Sequence, residues 1–184
     1  MKNLYIIAGR SGSGKTSVVQ ELCSSCGLKP VKTTTTRPRR FPEEDAYHFI
    51  SQDEFDIRKD IIAPTKICGS SYGITPEALD AGDIIILDLK GVADMRQSYK
   101  GKPIKVIGIH APLTELEARM LKRGDSRENV NMRLEHDEIK FGMMEDFCDI
   151  IVRNMDLADT VSTVRTYIFQ TEYPAAFKHF TIGY

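Results

Sequence analysis

The sequence predicts an α/β fold in which helices cover both faces of a central parallel sheet. Two observations lead to this prediction. The apolar run Leu4–Ala8 leads into a glycine-rich loop and then into apolar residues at helical spacing, which indicates a strand, a loop and a helix. Apolar runs at 84–87, 104–109 and 149–152 then alternate with helical patterns. This alternation is typical of a parallel sheet that binds its ligand at the carboxyl ends of the strands.

The glycine-rich loop reads Gly-Arg-Ser-Gly-Ser-Gly-Lys-Thr over residues 9–16, which is the G-x-x-x-x-G-K-[ST] phosphate-binding pattern. Glycines at positions 12 and 14 allow a positive φ and a close approach of backbone N–H groups to phosphate oxygens. Lys15 adds a positive charge, and the hydroxyl of Thr16 can bind Mg²⁺. We therefore predict a three-layer P-loop NTPase fold that binds ATP and Mg²⁺. The loop residues predicted to bind ATP are Gly9, Arg10, Ser11, Gly12, Ser13, Gly14, Lys15 and Thr16.

The overall composition is that of an ordinary single-domain protein of 184 residues. A net charge of −1 gives no electrostatic reason to expect binding to nucleic acid or to a membrane surface. No run approaches the roughly 18 apolar residues of a membrane span, and the chain enters a strand rather than a signal peptide, so a cytoplasmic protein is expected. Cys23 and Cys26 lie on the inward face of the first predicted helix, which favours small buried side chains over a redox or zinc site.

Residues 33–75 differ in character from the rest of the chain and predict a small, mainly β subdomain. Its predicted elements are a strand at Thr33–Thr36, a charged loop at 37–44, a strand at 47–50, a short helix from Asp53, a strand within 61–67 and a turn at Gly69–Gly73. Thr75-Pro76-Glu77 then predicts the start of a helix. The predicted core comprises 1–32, 76–118 and 145–184, and 119–144 is predicted to be a helical lid.

Phosphoryl transfer depends on positive charge placed around the phosphates, so the arginines are candidate site residues. Arg37 and Arg40 lie in the charged loop, and Tyr47 and Tyr72 lie at two later corners of the same subdomain. Two guanidinium groups and two phenol hydroxyls can hold a dianionic phosphate. The alternative is that the arginines are solvated loop charges and that the tyrosines are half-buried packing residues.

A second group of arginines lies on both sides of a predicted break between two helices. Arg119 and Arg123 are spaced as one helix face before Gly124, and Arg133 follows in the next helical segment. Two helices joined at a glycine can form a hinged lid that brings arginines over a transferring phosphate and excludes water. A salt-bridged surface is the alternative, because Glu115, Glu117 and Glu128 are available as partners.

Five short elements occur in order along the chain. They are Thr35-Thr36-Arg37 with Arg40, Phe49-x-Ser51-x-Asp53-Glu54-Phe55, Tyr72-Gly73, Asp88-x-x-Gly91-Val92, and the set Arg119, Arg123, Gly124 and Arg133. Together they resemble the guanylate kinase family, and the match runs from about residue 4 to residue 170. The resemblance implies an ATP- and Mg²⁺-dependent nucleoside monophosphate kinase with GMP or dGMP as the expected acceptor. Small-molecule nucleotides are the expected partners, and the enzyme is expected to be a monomer or a homodimer.

The resemblance also assigns roles to individual residues. Lys15, Arg119, Arg123 and Arg133 would stabilise the charge that develops on the transferred phosphoryl group. Asn154 would contact the adenine of ATP. The residues that would face the acceptor are Thr33, Arg37, Arg40, Tyr47, Tyr72 and Asp88, of which Asp88 would act near the acceptor or near Mg²⁺.

The departures from the family pattern concern the end of the site that binds the base. Ala63 stands where guanylate kinases have a glutamate, and Ile74 replaces a serine of the family. Guanine presents paired N–H donors, for which a carboxylate is the natural partner. Glu43, Glu44 and Asp60 are candidate substitutes. The alternatives are a kinase for another phosphorylated acceptor, such as another nucleotide or ribose 1,5-bisphosphate, and a non-catalytic binding module, which the intact loop and lid disfavour.

Overall fold

The computed structural model describes residues 1–39, 42–45, 47–67 and 69–177. In that part of the chain the strands are β1 (Leu4–Ala8), β2 (Thr34–Thr35), β3 (His48–Phe49), β4 (Ile62–Ile67), β5 (Ser70–Ile74), β6 (Ile84–Ile86), β7 (Ile104–His110) and β8 (Ile150–Arg153). The helices are α1 (Lys15–Cys26), α2 (Gln52–Ile57), α3 (Pro76–Ala81), α4 (Leu89–Ser98), α5 (Leu113–Lys122), α6 (Arg127–Phe141), α7 (Met144–Phe147), α8 (Leu157–Glu172) and α9 (Pro174–Phe177).

The central sheet has the order β6-β1-β7-β8, and every pairing within it is parallel. An isolated parallel bridge between Pro30 and Ile84 extends the sheet beyond β6. Since β1 is paired on both edges and covered on both faces, all five of its residues are buried. This arrangement confirms the predicted parallel sheet and the predicted P-loop fold class.

Successive residues of β1 point to opposite faces of the sheet and so enter two separate cores. Leu4 and Ile6 pack in a cluster with Val92 and Met95 of α4. On the other face, Tyr5 and Ile7 pack in a cluster built on α1 and α8; its members from those helices include Val18, Leu22, Val164 and Ile168. The central sheet thus lies between two layers of helices. The phosphate loop follows the carboxyl end of β1, the strand buried on both faces.

Cap residues set the helix boundaries, and the predicted start of a helix at Thr75 is confirmed. The helix α1 ends at Gly27, whose φ of 67° gives a left-handed cap. Thr75 accepts a bond from the N–H of Ala78 at the start of α3, with Pro76 in the first turn. Cys23 and Cys26 are half-buried and pack against the core beside α1, with free thiols.

The mainly β subdomain contains a second sheet of order β3-β2-β5-β4. In it β2 pairs with β3 in parallel and with β5 antiparallel, and β4 also pairs with β5 antiparallel. The predicted turn at Gly69–Gly73 is wrong over most of its length, because Ser70–Ile74 forms β5. Tyr72 there pairs with Thr35 of β2 on one side and with Thr65 of the preceding strand β4 on the other, so strand pairing on both sides overrides a local glycine and serine pattern.

The stretch 119–144, predicted as a lid, contains the last residues of α5 and the whole of α6, with Gly124 between the two helices at a φ of 94°. Ser126 caps α6 by accepting a bond from the N–H of Asn129. The two helices share a small apolar cluster that contains Leu116, Met120 and Val130. Among the residues that the structure describes, no helix combines the length and the apolar character needed to cross a membrane.

Candidate active site

The phosphate loop is shaped by glycines at two positions where no other residue fits. Gly12 and Gly14 have φ values of 78° and 93°. A Cβ at position 12 would lie 2.8 Å from the carbonyl oxygen of Leu116, and one at position 14 would lie 2.3 Å from Nδ2 of Asn154. The positive φ and the close approach both exclude a side chain. These two positions therefore require the left-handed backbone of the loop that the sequence predicts to bind phosphate.

Lys15 lies at the start of α1 and is folded back onto its own loop. Its Nζ donates to the carbonyl oxygens of Gly9 and Arg10, both at 2.8 Å. Burial lowers the pKa of Lys15 to about 8, the charge of Arg123 acts in the same direction, and the carboxylate of Asp137 opposes both. The loop thus holds an ammonium group that binding of an anionic ligand would stabilise in its charged form.

The lid arginines and the phosphate loop enclose a cavity of about 410 Å³. Arg119, Arg123 and Arg133 line one side, and Lys15 and Thr16 line the other. Arg119 donates to the carbonyl oxygen of Asn154 at 2.9 Å and Arg123 to the carboxylate of Asp125, which fixes both guanidinium groups. The structure therefore brings together the residues that the sequence assigned to phosphoryl transfer, in a cavity whose charge suits a polyphosphate.

A larger groove of about 720 Å³ lies elsewhere, between α3 and the outer face of the second sheet. Its lining includes Lys32 and Arg58 but no residue of the phosphate loop. Lys32 is paired with Asp45 at 2.6 Å, and Arg58 is paired with Asp60 at 2.5 Å. Because no residue of the phosphate loop lines this groove, we place the active site at the smaller cavity over the loop.

The side chain of Asn154, which the resemblance assigns to adenine, is hydrogen-bonded inside the protein next to the phosphate loop. Its Nδ2 donates to the carbonyl oxygen of Ser13 at 2.7 Å, and its Oδ1 accepts from the hydroxyl of Thr160 at 3.0 Å. The residue is only 4% exposed. Its amide is thus used inside the protein, where it supports the loop. Ser13, on the same loop, carries the one buried side-chain oxygen in the described ranges that lacks a hydrogen-bond partner.

On the acceptor side, three of the predicted residues lie close together. The guanidinium carbon of Arg37 is 5.4 Å from the ring centroids of both Tyr47 and Phe49. The rings of Tyr47 and Tyr72 have centroids 6.0 Å apart. Arg37 also donates to the buried carboxylate of Glu44 at 2.6 Å. Glu44, which the sequence left as a candidate for reading the base, is therefore the partner of the predicted phosphate-binding arginine.

The remaining acceptor-side predictions have different outcomes. Asp88 accepts from the N–H of Gly91 at 2.8 Å, which caps α4, and it lines a cavity of about 320 Å³ together with Lys15. Thr33 accepts a bond from the N–H of His48 through its backbone carbonyl, at 2.9 Å. Arg40 lies outside the described residues. Asp88 consequently lines a cavity beside the phosphate loop.

Ala63, which the sequence comparison places at the base-reading position of the family, lies in a bulge of β4. Between Ile62 and Thr65 the register against β5 shifts by one residue, and Ala63 in the bulge has a φ of 50°. Ala63 packs against the apolar cluster that contains Ile62 and Ile74, so it presents only a methyl group. Asp60, a candidate substitute for the missing carboxylate, is engaged with Arg58.

Asp137 and Glu138 were not identified from the sequence. The N–H of Ser11 donates to Oδ2 of Asp137 at 2.5 Å, and Nη1 of Arg10 donates to Oε2 of Glu138 at 2.8 Å. Asp137 follows Arg133 by four residues on α6, so helical spacing places both on one face. The spacing could have shown from the sequence that Asp137 lies on the same helix face as Arg133. It could not have shown the contact with the phosphate loop, because that contact depends on how α6 packs.

The comparisons with known proteins agree with this geometry. The sequence profile described as guanylate kinase matches residues 1–171 of the chain. The chain belongs to the guanylate kinase family. Membership makes it a nucleoside monophosphate kinase, and this confirms the resemblance seen in the sequence.

Individual guanylate kinases match over most of their length. The enzyme from Bartonella quintana (strain Toulouse) is 29% identical over 181 residues, which cover 91% of this chain and 81% of that protein. The enzyme from Thermotoga maritima is 30% identical over 174 residues and 83% of its length, and that from Neisseria meningitidis serogroup A is 32% identical over 178 residues and 85% of its length. The solved structure of guanylate kinase from Anaplasma phagocytophilum covers 92% of this chain with a TM-score of 0.58; at 19% identity it supports the fold alone.

Proposed function

We propose that this protein transfers the γ-phosphoryl group of ATP to GMP or dGMP, which gives ADP and the nucleoside diphosphate. The observation that carries the proposal is the cavity in which Lys15 and the phosphate loop face Arg119, Arg123 and Arg133. Phosphoryl transfer requires mainly positioning and charge stabilisation, and this cavity supplies both. The enzyme is expected to act in the cytoplasm on small-molecule nucleotides, as a monomer or a homodimer.

On the donor side, the loop N–H groups and Lys15 bind the β- and γ-phosphates, and the lid arginines stabilise the charge that develops on the transferred group. Mg²⁺ bound with ATP would supply further charge neutralisation. The residues present fit that ion, because Thr16 lies on the cavity and Mg²⁺ is commonly held by one or two protein oxygens together with substrate phosphates. In the described ranges no group of three or more His, Cys, Asp or Glu side chains forms a separate metal site.

On the acceptor side, Arg37 with Tyr47 and Tyr72 binds the phosphate of the nucleotide, and Asp88, which lines a cavity with Lys15, acts near the acceptor or near Mg²⁺. Glu44 and the rings of Tyr47 and Phe49 hold the guanidinium group of Arg37 in one orientation. The N–H groups that do not bond Glu44 can then donate to the phosphate of the acceptor. Closure of the mainly β subdomain brings the acceptor oxygen into line with the γ-phosphorus. No covalent intermediate with the protein is required.

The base is read less stringently than the phosphate. Ala63 offers no acceptor to the N–H donors of guanine, so the selectivity for GMP over AMP should be lower than the roughly 10⁴–10⁵ that a dedicated polar partner provides. The family relatives favour GMP over another phosphorylated acceptor.

The test is ADP production with Mg-ATP against a panel of GMP, dGMP, AMP, CMP, UMP, dTMP and ribose 1,5-bisphosphate. GMP or dGMP is expected to be the best acceptor. Lys15→Ala should lower kcat by at least about a hundredfold with the fold intact, since it removes charge from the transferring phosphates. Lys100→Ala, an exposed lysine at the opposite end of the strands, is the matched control and should be active. Turnover of Lys15→Ala near that of Lys100→Ala, or a better acceptor than GMP and dGMP, would contradict the proposal.

A further inference from the structure

Two consecutive residues of the phosphate loop are bonded to two consecutive residues of α6. The N–H of Ser11 donates to the carboxylate of Asp137 at 2.5 Å, and the guanidinium of Arg10 donates to that of Glu138 at 2.8 Å. Asp137 is 6% exposed, whereas Glu138 is mostly exposed. The contact of Asp137 is therefore the buried one of the two, and the Arg10 pair lies at the surface, where an ion pair contributes little.

The carboxylate of Asp137 lies where an anionic oxygen is expected to bind. Backbone N–H groups of a phosphate loop form a concave site for anions, and Ser11 lines both cavities beside this loop. Asp137 also lines the cavity of about 320 Å³ that contains Gly9, Ser11 and Lys15. A carboxylate oxygen and a phosphate oxygen are both charged acceptors, so each can bind this donor with a short, charge-assisted hydrogen bond.

The position of Asp137 on the chain links this bond to the lid. Asp137 and Arg133 lie four residues apart on α6, and Arg133 lines the neighbouring cavity over the loop. A bond from Asp137 to the loop therefore holds the helix that carries one of the phosphate-stabilising arginines. If a phosphate oxygen accepts the N–H of Ser11, the bond from this N–H to Asp137 must break, and α6, which carries Arg133, is then released from the loop.

We propose that Asp137 is an internal substitute for nucleotide phosphate: in the absence of ATP its carboxylate occupies the phosphate loop and holds α6 there, and ATP must displace it in order to bind. This proposal rests on the proposed function, because it assumes that the loop binds ATP. Displacement costs part of the binding free energy of ATP and couples entry of the nucleotide to movement of the lid. If the free protein has the loop occupied by Asp137 in about 70–97% of molecules, the apparent Kd for the nucleotide is raised by about 3- to 30-fold.

The experiment compares Asp137→Asn with Glu135→Gln. Both remove one negative charge from α6, but Glu135 is exposed, so its replacement controls for the change in overall charge. The Kd of a non-hydrolysable Mg-ATP analogue is measured by calorimetry. Asp137→Asn is expected to bind it about 3- to 30-fold more tightly than the wild type, and Glu135→Gln within about twofold. Hydrogen exchange in α6 without nucleotide should be faster in Asp137→Asn than in the wild type, and the difference should disappear when the analogue is saturating.

Binding by Asp137→Asn that equals or falls below that of Glu135→Gln would overturn the proposal. So would an unchanged Kd with a fall in kcat of more than tenfold, since Asp137 would then act during turnover. If Asp137→Asn does not fold, Asp137→Ser is used for the same comparison, and failure of both to fold would make Asp137 a structural residue. The proposed function fails separately, if the wild type binds the analogue but phosphorylates neither GMP nor dGMP.

Discussion

Replacing Asn154 by alanine tests whether this residue supports the phosphate loop from below or contacts the nucleotide base. The substitution removes two side-chain bonds, the one donated to the carbonyl of Ser13 and the one accepted from Thr160. The backbone bonds of residue 154, to His110 and from Arg119, do not depend on the side chain. The change is therefore confined to the support of the loop.

The magnitude follows from which groups lose a partner. The hydroxyl of Thr160 also donates to the carbonyl of Asp156 at 2.6 Å, so it keeps a bond in the variant. The carbonyl of Ser13 loses its side-chain donor in a buried position, which costs about 1–3 kcal/mol. At about 2–4 °C per kcal/mol for a chain of this size, Tm should fall by about 2–12 °C. If the lost bond destabilises the loop conformation that binds phosphate by the same 1–3 kcal/mol, ATP binding is weakened by about 5- to 150-fold.

The assay combines thermal unfolding by circular dichroism with calorimetric titration of ATP and GTP. Asn154→Ala should lower Tm and weaken the binding of both nucleotides by the same factor, because the loop binds phosphates and not bases. Asn131→Ala, at an exposed position of α6, is the control and should change the free energy of unfolding by less than about 0.5 kcal/mol. An unchanged Tm together with a loss of preference for ATP over GTP would refute the reasoning and place Asn154 at the adenine.

Three further predictions follow from the same site. Gly14→Ala should weaken ATP binding at least tenfold in a calorimetric titration, because the φ of 93° at Gly14 and the 2.3 Å approach of a Cβ to Asn154 leave no space for a side chain. Gly142→Ala is the control and should bind ATP normally, because Gly142 has a helical φ of −60°. ATP affinity measured from pH 7 to 9.5 should fall as the pH rises through about 8, since burial lowers the pKa of Lys15 and its charged form is lost above that value; a flat profile would contradict the role of its charge. Arg37→Lys keeps the charge but loses the planar guanidinium group that bonds Glu44, so the KM for GMP should rise about tenfold while the KM for ATP is unchanged. Steady-state kinetics with each substrate varied measure both constants. A rise in the KM for ATP alone would mean that Arg37 belongs to the ATP site.

The sequence by itself determined the features whose signals are local. The apolar run of β1, the glycines at 12 and 14 and the lysine after them specify a strand, a left-handed loop and a helix start within about twenty residues, because each depends on backbone sterics or on burial of neighbouring side chains. Arg119, Arg123 and Arg133 could be placed on two helices around Gly124 for the same reason. Continuous apolar runs likewise predicted the parallel strands of the central sheet.

Only the tertiary structure decided which partner each polar group takes. Ser70–Ile74 forms a strand because Thr35, from a distant part of the chain, and Thr65, from the preceding strand, both pair with it. Glu44 accepts a hydrogen bond from Arg37, and the side chain of Asn154 donates to the carbonyl oxygen of Ser13. Asp137 meets the N–H of Ser11 across 126 residues of sequence. Hydrogen bonds and ion pairs act over a few ångströms and carry no sequence periodicity, so their partners are fixed only when packing of the apolar faces has brought the elements together.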